Sequence, residues 1–158
     1  MKKFILVICF VLGISSCFAD SLSPAQQKLR SDIMDYLRFE GFMPEIDSDG
    51  DIRFKKEGTV FFVRIDPNET SPMYVVLFSL YNKPSNYSID VVKLASAELN
   101  LYKGVKVIVY DNGTISLQAD LFMNSATTFK DAFYKLVTNF GFVEEDILSE
   151  CRAAAARL

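Results

Sequence analysis

The sequence predicts an α+β fold in which an antiparallel sheet of about five strands carries helices packed on one face. Apolar residues recur at steps of three and four near the start, the middle and the end of the chain, as in amphipathic helices. Between these segments apolar and polar residues alternate, as they do along strands with one buried face. Turn sequences such as Asp49-Gly50 and Asn112-Gly113 join neighbouring strands, which are therefore antiparallel. The predicted order is α-β-β-β-α-β-β-α.

The first helix has recognisable ends. Ser23 is a favourable N-cap, and Pro24 fits the first helical position because an N–H there would have no helical partner. Gly41 follows the helix and accepts the left-handed backbone of a C-cap. The expected buried stripe consists of Leu29, Ile33, Tyr36 and Leu37.

The segment around Asp49-Gly50 predicts a short leading strand, a tight turn and two longer strands. The first of these runs from Ile52 to a turn at Glu57-Gly58, and the second spans residues 59–66. Pro67 is expected to end the second strand because it has no N–H to donate. One face of that strand carries Phe61, Val63 and Ile65, and the other carries Val60, Phe62 and Arg64.

Residues 73–81 form the most continuously apolar run outside the first 19 residues, and they predict a strand covered on both faces. Residues 88–102 return to helical spacing. Residues 105–110 and 114–122 then predict a hairpin. The last helix is expected to follow Asn124-Ser125. Gly141 interrupts its pattern, so we expect a kink or break there.

Residues 1–19 predict a bacterial signal peptide. A positive Lys2-Lys3 start precedes residues 4–13, an apolar stretch too short to span a bilayer, and small residues follow. The remaining residues 20–158 are expected to form a single domain.

Two cleavage points fit this leader. Cleavage before Asp20 matches an ordinary leader-peptidase site. Cleavage before Cys17 matches the lipobox-like sequence that ends at this cysteine, which would then be lipidated. The protein is therefore expected to be exported, either free in the periplasm or lipid-anchored to the cell envelope through Cys17, with no other membrane contact.

The composition argues against several function classes. The chain has no histidine, so it lacks a Ser-His or Cys-His nucleophile pair and an imidazole metal ligand. Its net charge of −3 argues against a nucleic-acid partner, which would need a basic face. Once the leader is removed, Cys151 has no disulfide partner and no histidine to activate it. We expect no catalytic residues and no cofactor.

Asp47, Asp49 and Asp51 invite comparison with a calcium loop. An EF-hand needs glycine at its sixth position and glutamate at its twelfth, whereas here glycine stands at the fourth and again at the twelfth. The aspartates therefore favour a hairpin turn, and they are weak candidates for a metal site.

The predicted sheet has more apolar side chains than one helical layer can cover. Val60, Phe62, Ile108 and Tyr110 all face away from the helices in this arrangement. A second subunit, a peptide partner or the kinked terminal helix could cover them. These four residues are the candidate partner surface.

The sequence LRFEGFMPEIDSDGDIRFKKEG, followed by a strand rich in Phe and Val, resembles the YbjN-domain family, also called the bacterial sensory-transduction regulator family. The shared features are a helix that ends in EGF, an acidic turn and an I-x-F strand, and the resemblance extends over residues 29–140. It implies a fold related to class I type III secretion chaperones. It also implies a domain that binds polypeptide or self-associates, with no catalytic residues. The export signal departs from those cytoplasmic chaperones.

The expected function is that of a non-enzymatic, chaperone-like module that binds a protein or peptide or forms a homodimer. Two alternatives stay open: a metal-dependent hydrolase that uses the three aspartates, and a structural lipoprotein of the envelope.

Overall fold

The computed structural model describes residues 22–158; the leader, with Cys17 and both cleavage points, lies outside the described residues. The helices are α1 (Pro24–Phe39), α2 (Ile89–Leu99) and α3 (Ala126–Ala155), and the strands are β1 (Glu45–Ile46), β2 (Ile52–Lys56), β3 (Thr59–Thr70), β4 (Met73–Asn82), β5 (Lys106–Val109) and β6 (Thr114–Met123). Within this part of the chain, no helix is both long and apolar enough to cross a bilayer.

The strands form one 6-stranded sheet in the order β1-β2-β3-β4-β6-β5. Every neighbouring pair is antiparallel. The predicted α+β class is confirmed. The observed sheet has one strand more than the predicted order of elements, and that strand is β1, the short leading strand expected before the Asp49-Gly50 turn. It pairs with β2 through Glu45↔Arg53 and Ile46↔Ile52.

The hydrophobic core lies between the helices and one face of the sheet. Phe61 of β3 is 4% exposed and stacks on Phe54 of β2 and on Phe140 of α3, with ring centroids 5.4 Å and 5.9 Å apart. The ring centroid of Phe133 in α3 lies 5.8 Å from that of Phe54. Because side chains alternate along a strand, each second residue joins this core and its neighbours point away from it.

Helix α1 is fixed to the sheet by a buried glutamine. Ser23 and Gln26 form a reciprocal capping box at its start. The fully buried Gln26 also donates from Nε2 to the carbonyl oxygens of Asp66 (2.7 Å) and Glu69 (3.1 Å) in β3. These bonds satisfy carbonyl groups where the β3–β4 register shifts.

Two expectations about β3 and β4 are wrong. Strand β3 does not end at Pro67 but continues to Thr70, because the register shift accommodates a residue that cannot donate to the ladder. Strand β4 is not covered on both faces, since Leu80 is 49% exposed and Tyr74 and Val76 are partly exposed.

The kink expected at Gly141 is also wrong, because α3 is one continuous helix. Buried residues continue through both of its halves: Phe133, Val137, Phe140, Val143, Ile147, Cys151 and Ala154. Glycine in a helix interior costs about 1 kcal/mol, and packing of this long stripe outweighs that cost. The terminal segment therefore stays on the core side and does not wrap round the sheet.

A tyrosine ties the end of β4 to α3. The Tyr81 hydroxyl donates to Oε2 of Glu144 at 3.1 Å. Burial, with the nearby Glu144 carboxylate, raises the pKa of Tyr81 to about 12.

Candidate partner-binding face

The sheet surface opposite the helices forms what we call the open face. Within residues 22–158, no helix packs on it, since the helices contact the side that carries Phe61. Its central residues are Val60, Phe62, Arg64, Val76, Phe78, Leu80, Ile108, Tyr110, Ser116 and Gln118.

The four candidate surface residues all lie on this face. Val60, Phe62 and Ile108 are partly exposed, and Tyr110 is 43% exposed. They do not form one contiguous group, because β4 and β6 separate β3 from β5. Side chains of β4 and β6 therefore complete the face.

The centre of the face is a pair of aromatic residues, of which the sequence predicted Phe62 but not Phe78. Phe62 of β3 stacks on Phe78 of β4 with centroids 5.1 Å apart and planes at 17°. The Arg64 guanidinium lies 5.0 Å from the centroid of the Phe78 ring. Phe78 and Leu80 were missed because β4 is apolar at almost every position, so its period does not tell the two faces apart.

Arg64 is held by a buried carboxylate. Its Nη2 donates to Asp51 Oδ2 at 2.7 Å, and its Nε lies 3.2 Å from both Asp51 oxygens. Burial raises the pKa of Asp51 above its ordinary value, while the hydrogen bonds and charge of Arg64 oppose the rise. The pair fixes the guanidinium against Phe78, so the middle of the face is preorganised.

Two of the three aspartates considered as metal ligands, Asp47 and Asp51, serve the turn and this ion pair. Asp47 Oδ1 accepts from the backbone N–H of Asp49 (2.9 Å) and of Asp51 (3.0 Å), while the Asp51 carboxylate binds Arg64. In the described part of the chain, no three acidic, cysteine or histidine side chains are grouped to hold a metal ion.

A furrow runs over β6 between β4 and β5. Thr114, Ser116 and Gln118 form its floor, with Phe78 and Leu80 on the β4 side and Tyr110 on the β5 side, around a volume of about 420 Å³. Gln118 Nε2 donates to the Ser116 hydroxyl at 3.1 Å, so part of the polar floor is already satisfied. This bond pairs the Gln118 amide nitrogen with the Ser116 hydroxyl oxygen, and the remaining polar groups of the floor stay available to a ligand.

The outer edge of β5 is occupied by a side chain. Val107 N–H donates to Asn100 Oδ1 at 2.7 Å, and Asn100 Nδ2 donates to the Val107 carbonyl at 3.2 Å. The asparagine amide thus occupies the place that an added strand would take. The β5 edge is therefore closed to strand pairing at Val107.

Comparisons with known proteins bear on the fold. No family model matches the chain, and no curated protein matches it. One chain of a solved structure, described as "Structure of the HopA1-SchA Chaperone-Effector Complex", matches over 78% of this chain and 99% of its own length, with a TM-score of 0.53 and 13% identity. The helix-on-sheet architecture described above is therefore similar to that of a chain in a chaperone–effector complex.

Proposed function

We propose that the chain is a non-enzymatic, chaperone-like module that binds another polypeptide on its open face. The observation that carries the proposal is a broad sheet surface centred on the stacked Phe62 and Phe78 and left without helical cover within residues 22–158. Phe78 itself is only 7% exposed, so the apolar surface left for a partner to bury is that of Val60, Phe62, Leu80 and Tyr110.

The fold likeness supports the chaperone-like part of the proposal. The solved chain belongs to a complex between a chaperone and an effector, and the resemblance of the EGF helix end and acidic turn to the YbjN-domain family favours the same class. We propose on these grounds that the chain is related to that family. The alternative hydrolase has no observation in its favour, since Asp51 is engaged by Arg64.

The proposed location is outside the cytoplasm, free in the periplasm or lipid-anchored at Cys17. Its support is the leader sequence. Fractionation of cells that express wild type or Cys17→Ser tests it. A lipid-anchored protein moves from the membrane to the soluble envelope fraction on substitution, and a cytoplasmic protein in both cases overturns the proposal.

Binding is tested with a labelled, reduced and alkylated polypeptide that cannot fold, followed by fluorescence polarisation. Leu80→Asp changes an open-face residue that is 49% exposed, and the matched control Leu148→Asp changes a residue of α3 that is 54% exposed. We expect Leu80→Asp to weaken binding by about tenfold or more and the control to leave it within about twofold.

A second variant, Phe62→Asp, separates binding from folding. The proposal expects a cooperative thermal transition together with weaker binding. Loss of cooperative melting would place Phe62 in the core, and equal binding by Leu80→Asp and Leu148→Asp would remove the open face as the site.

A further inference from the structure

A cavity lies on the helix-covered side of the sheet, where the β2–β3 turn approaches the middle of α3. Its volume of about 360 Å³ falls in the range of roughly 300–1,000 Å³ that small-molecule sites occupy. The buried Phe61 and Val137 line its inside, and the exposed Glu57, Glu144 and Glu145 line its mouth. Because Phe61 points away from the open face, this cavity is separate from the candidate partner surface.

A glycine keeps this cavity open. The residues of α3 that line the cavity follow each other at steps of three and four, and therefore share one face of the helix: Val137, Gly141, Glu144 and Glu145. A Cβ at Gly141 would meet no atom within 4 Å, so a side chain there would extend into the cavity. Glycine inside a helix is less stable than alanine. The space that Gly141 leaves gives a reason for it.

The mouth of the cavity is acidic. Of the described residues that line it, only Lys56 is basic, and its ammonium lies 2.9 Å from Glu57 Oε2, so these two charges offset each other. Within residues 22–158, no lysine or arginine nitrogen comes within 4.0 Å of Glu144 or Glu145. These two carboxylates therefore leave a net negative charge at the mouth.

Hydroxyl groups stand beside these carboxylates. Thr59 lines the cavity, and the Tyr81 hydroxyl donates to Glu144. Ser79 pairs with Phe61 across the β3–β4 ladder and is 1% exposed, and its Oγ has no hydrogen-bond partner among the described residues. The Ser79 and Thr59 hydroxyls nevertheless lie close enough to Tyr81 to oppose the rise in its pKa. A buried hydroxyl without a partner is unfavourable, so a polar ligand group beside Tyr81 would relieve this cost.

This combination of groups suits an ammonium on a short alkyl chain. An ammonium carries three donors and no acceptor, so it matches carboxylate and hydroxyl oxygens. An alkyl chain buries apolar surface against Phe61 and Val137, in the space beside Gly141. A carboxylate ligand would be repelled by Glu144 and Glu145, and a neutral alcohol would leave their charge uncompensated.

We propose that the cavity between the β2–β3 turn and α3 binds an alkylammonium group. The ammonium pairs with Glu144 and Glu145, and the alkyl chain lies against Phe61 and Val137. Two sources carry this group, a free diamine and the lysine side chain of a polypeptide. The site lies on the opposite side of the sheet from the open face, so it is independent of the proposed function.

The test uses the whole ¹⁵N-labelled protein and follows the backbone amide signals of Thr59 and Gly141 by NMR. The probes are 1,5-diaminopentane, pentylamine, 1-pentanol and pentanoate. We expect both amines to shift these signals, to bind at least about tenfold more tightly than the alcohol or the acid, and to weaken as salt rises. Equal binding of pentylamine and 1-pentanol, or no shift with either amine, would overturn the proposal.

A capped Gly-Gly-Lys-Gly-Gly peptide separates the two sources. If it binds more tightly than 1,5-diaminopentane, the ligand is the lysine side chain of a polypeptide. If the diamine binds more tightly, the ligand is a free diamine. The same peptide with norleucine in place of lysine lacks the ammonium and is expected not to bind.

Filling the cavity gives a sharper arm. Gly141→Leu is expected to weaken pentylamine binding by about tenfold or more while the melting temperature stays the same or rises, because the side chain occupies the cavity and helix propensity improves. The matched control, Thr138→Leu, changes an exposed residue of α3 outside the cavity and is expected to leave affinity unchanged. Unchanged binding by a folded Gly141→Leu variant would contradict the site.

A second pair of variants removes charge without changing shape. Glu144→Gln with Glu145→Gln is expected to weaken pentylamine binding by about tenfold, since the amide oxygens still accept hydrogen bonds but carry no charge. Asp131→Asn with Glu150→Gln makes the same change in net charge elsewhere on α3 and should leave binding unchanged. Equal losses in the two double variants would reduce the effect to non-specific attraction and overturn the proposal. Weaker amine binding by Leu80→Asp would move the site to the open face and overturn it too.

Discussion

Phe61 and Phe62 are neighbours in β3, yet they belong to different environments. Phe61 is buried between Phe54 and Phe140 on the helix-covered face. Phe62 points the other way and is partly exposed beside Phe78. The comparison shows that the same side chain stabilises the fold on one face of a sheet and is available for recognition on the other. Position relative to the helices, not residue type, separates the two roles.

The largest expected effect comes from truncating each of these two phenylalanines to alanine. Phe61→Ala leaves a cavity in a packed core and is expected to lower the free energy of unfolding by about 3–5 kcal/mol. Phe62→Ala loses mainly its stacking contact and is expected to cost about 1 kcal/mol. Urea denaturation followed by circular dichroism measures both, and equal losses would mean that the open face is as much a core as the covered one.

The next largest effect concerns the outer edge of β5, where the two faces of the sheet meet. Asn100→Ala removes two hydrogen bonds to Val107 and is expected to cost about 1–2 kcal/mol. It also frees the Val107 backbone groups at the β5 edge, so we expect faster aggregation on mild heating, measured by light scattering. Asn86→Ala, in an exposed loop, is the control. Unchanged aggregation would mean that other features protect this edge.

A smaller effect of opposite sign is expected within α3. Gly141→Ala improves helix propensity, and its new Cβ meets no atom within 4 Å, so stability should rise by about 0.5–1 kcal/mol. Gly104→Ala is the contrasting change, because that residue has φ +74° and its Cβ would lie 3.1 Å from Leu136 Cδ2. Gly104→Ala should therefore lower the free energy of unfolding. A loss of stability in Gly141→Ala would indicate strain in α3 at that position.

The last expected effect lies at the border of the covered face and is seen only at alkaline pH. The pKa of Tyr81 is about 12 in the folded protein, against 10.0 for the ordinary group. The stability that the protonated hydroxyl contributes is therefore complete below pH 10, and it is lost as pH rises from 10 through about 12. Tyr81→Phe cannot ionise, and its stability should fall less than that of wild type over this range. The free energy of unfolding of both proteins is measured against pH by alkaline denaturation. Parallel curves for wild type and Tyr81→Phe would contradict the raised pKa of Tyr81.

Alternation in the sequence predicted much of the covered face. Phe61, Val63 and Ile65 alternate with Val60, Phe62 and Arg64, so the split of β3 into two faces could be inferred directly. The same reasoning located the four candidate surface residues on the face away from the helices. Whether those residues bind a partner stays a prediction.

The features that the sequence did not predict depend on contacts between segments that are distant along the chain. The residues of β4 are apolar on both faces, and only pairing with β3 and β6 shows that Phe78 and Leu80 belong to the open side. Burial of α3 on both sides of Gly141 outweighs the local preference of glycine. Gln26 binds the carbonyl of Asp66 from a helix about 40 positions earlier in the chain, so local sequence could not show how β3 continues past Pro67.

The β4–β6 ladder also bears on how fast the chain folds. It pairs Asn82 with Thr114 at one end and Met73 with Met123 at the other, so it closes loops of 32 residues (114 − 82) to 50 residues (123 − 73). The β2–β3 and β3–β4 hairpins form across short turns. Loop closure costs entropy before the new contacts compensate for it, so joining β4 to β6 is expected to limit the folding rate. Stopped-flow refolding of Leu117→Ala should then be slower than that of wild type, and an unchanged rate would assign the barrier to another step.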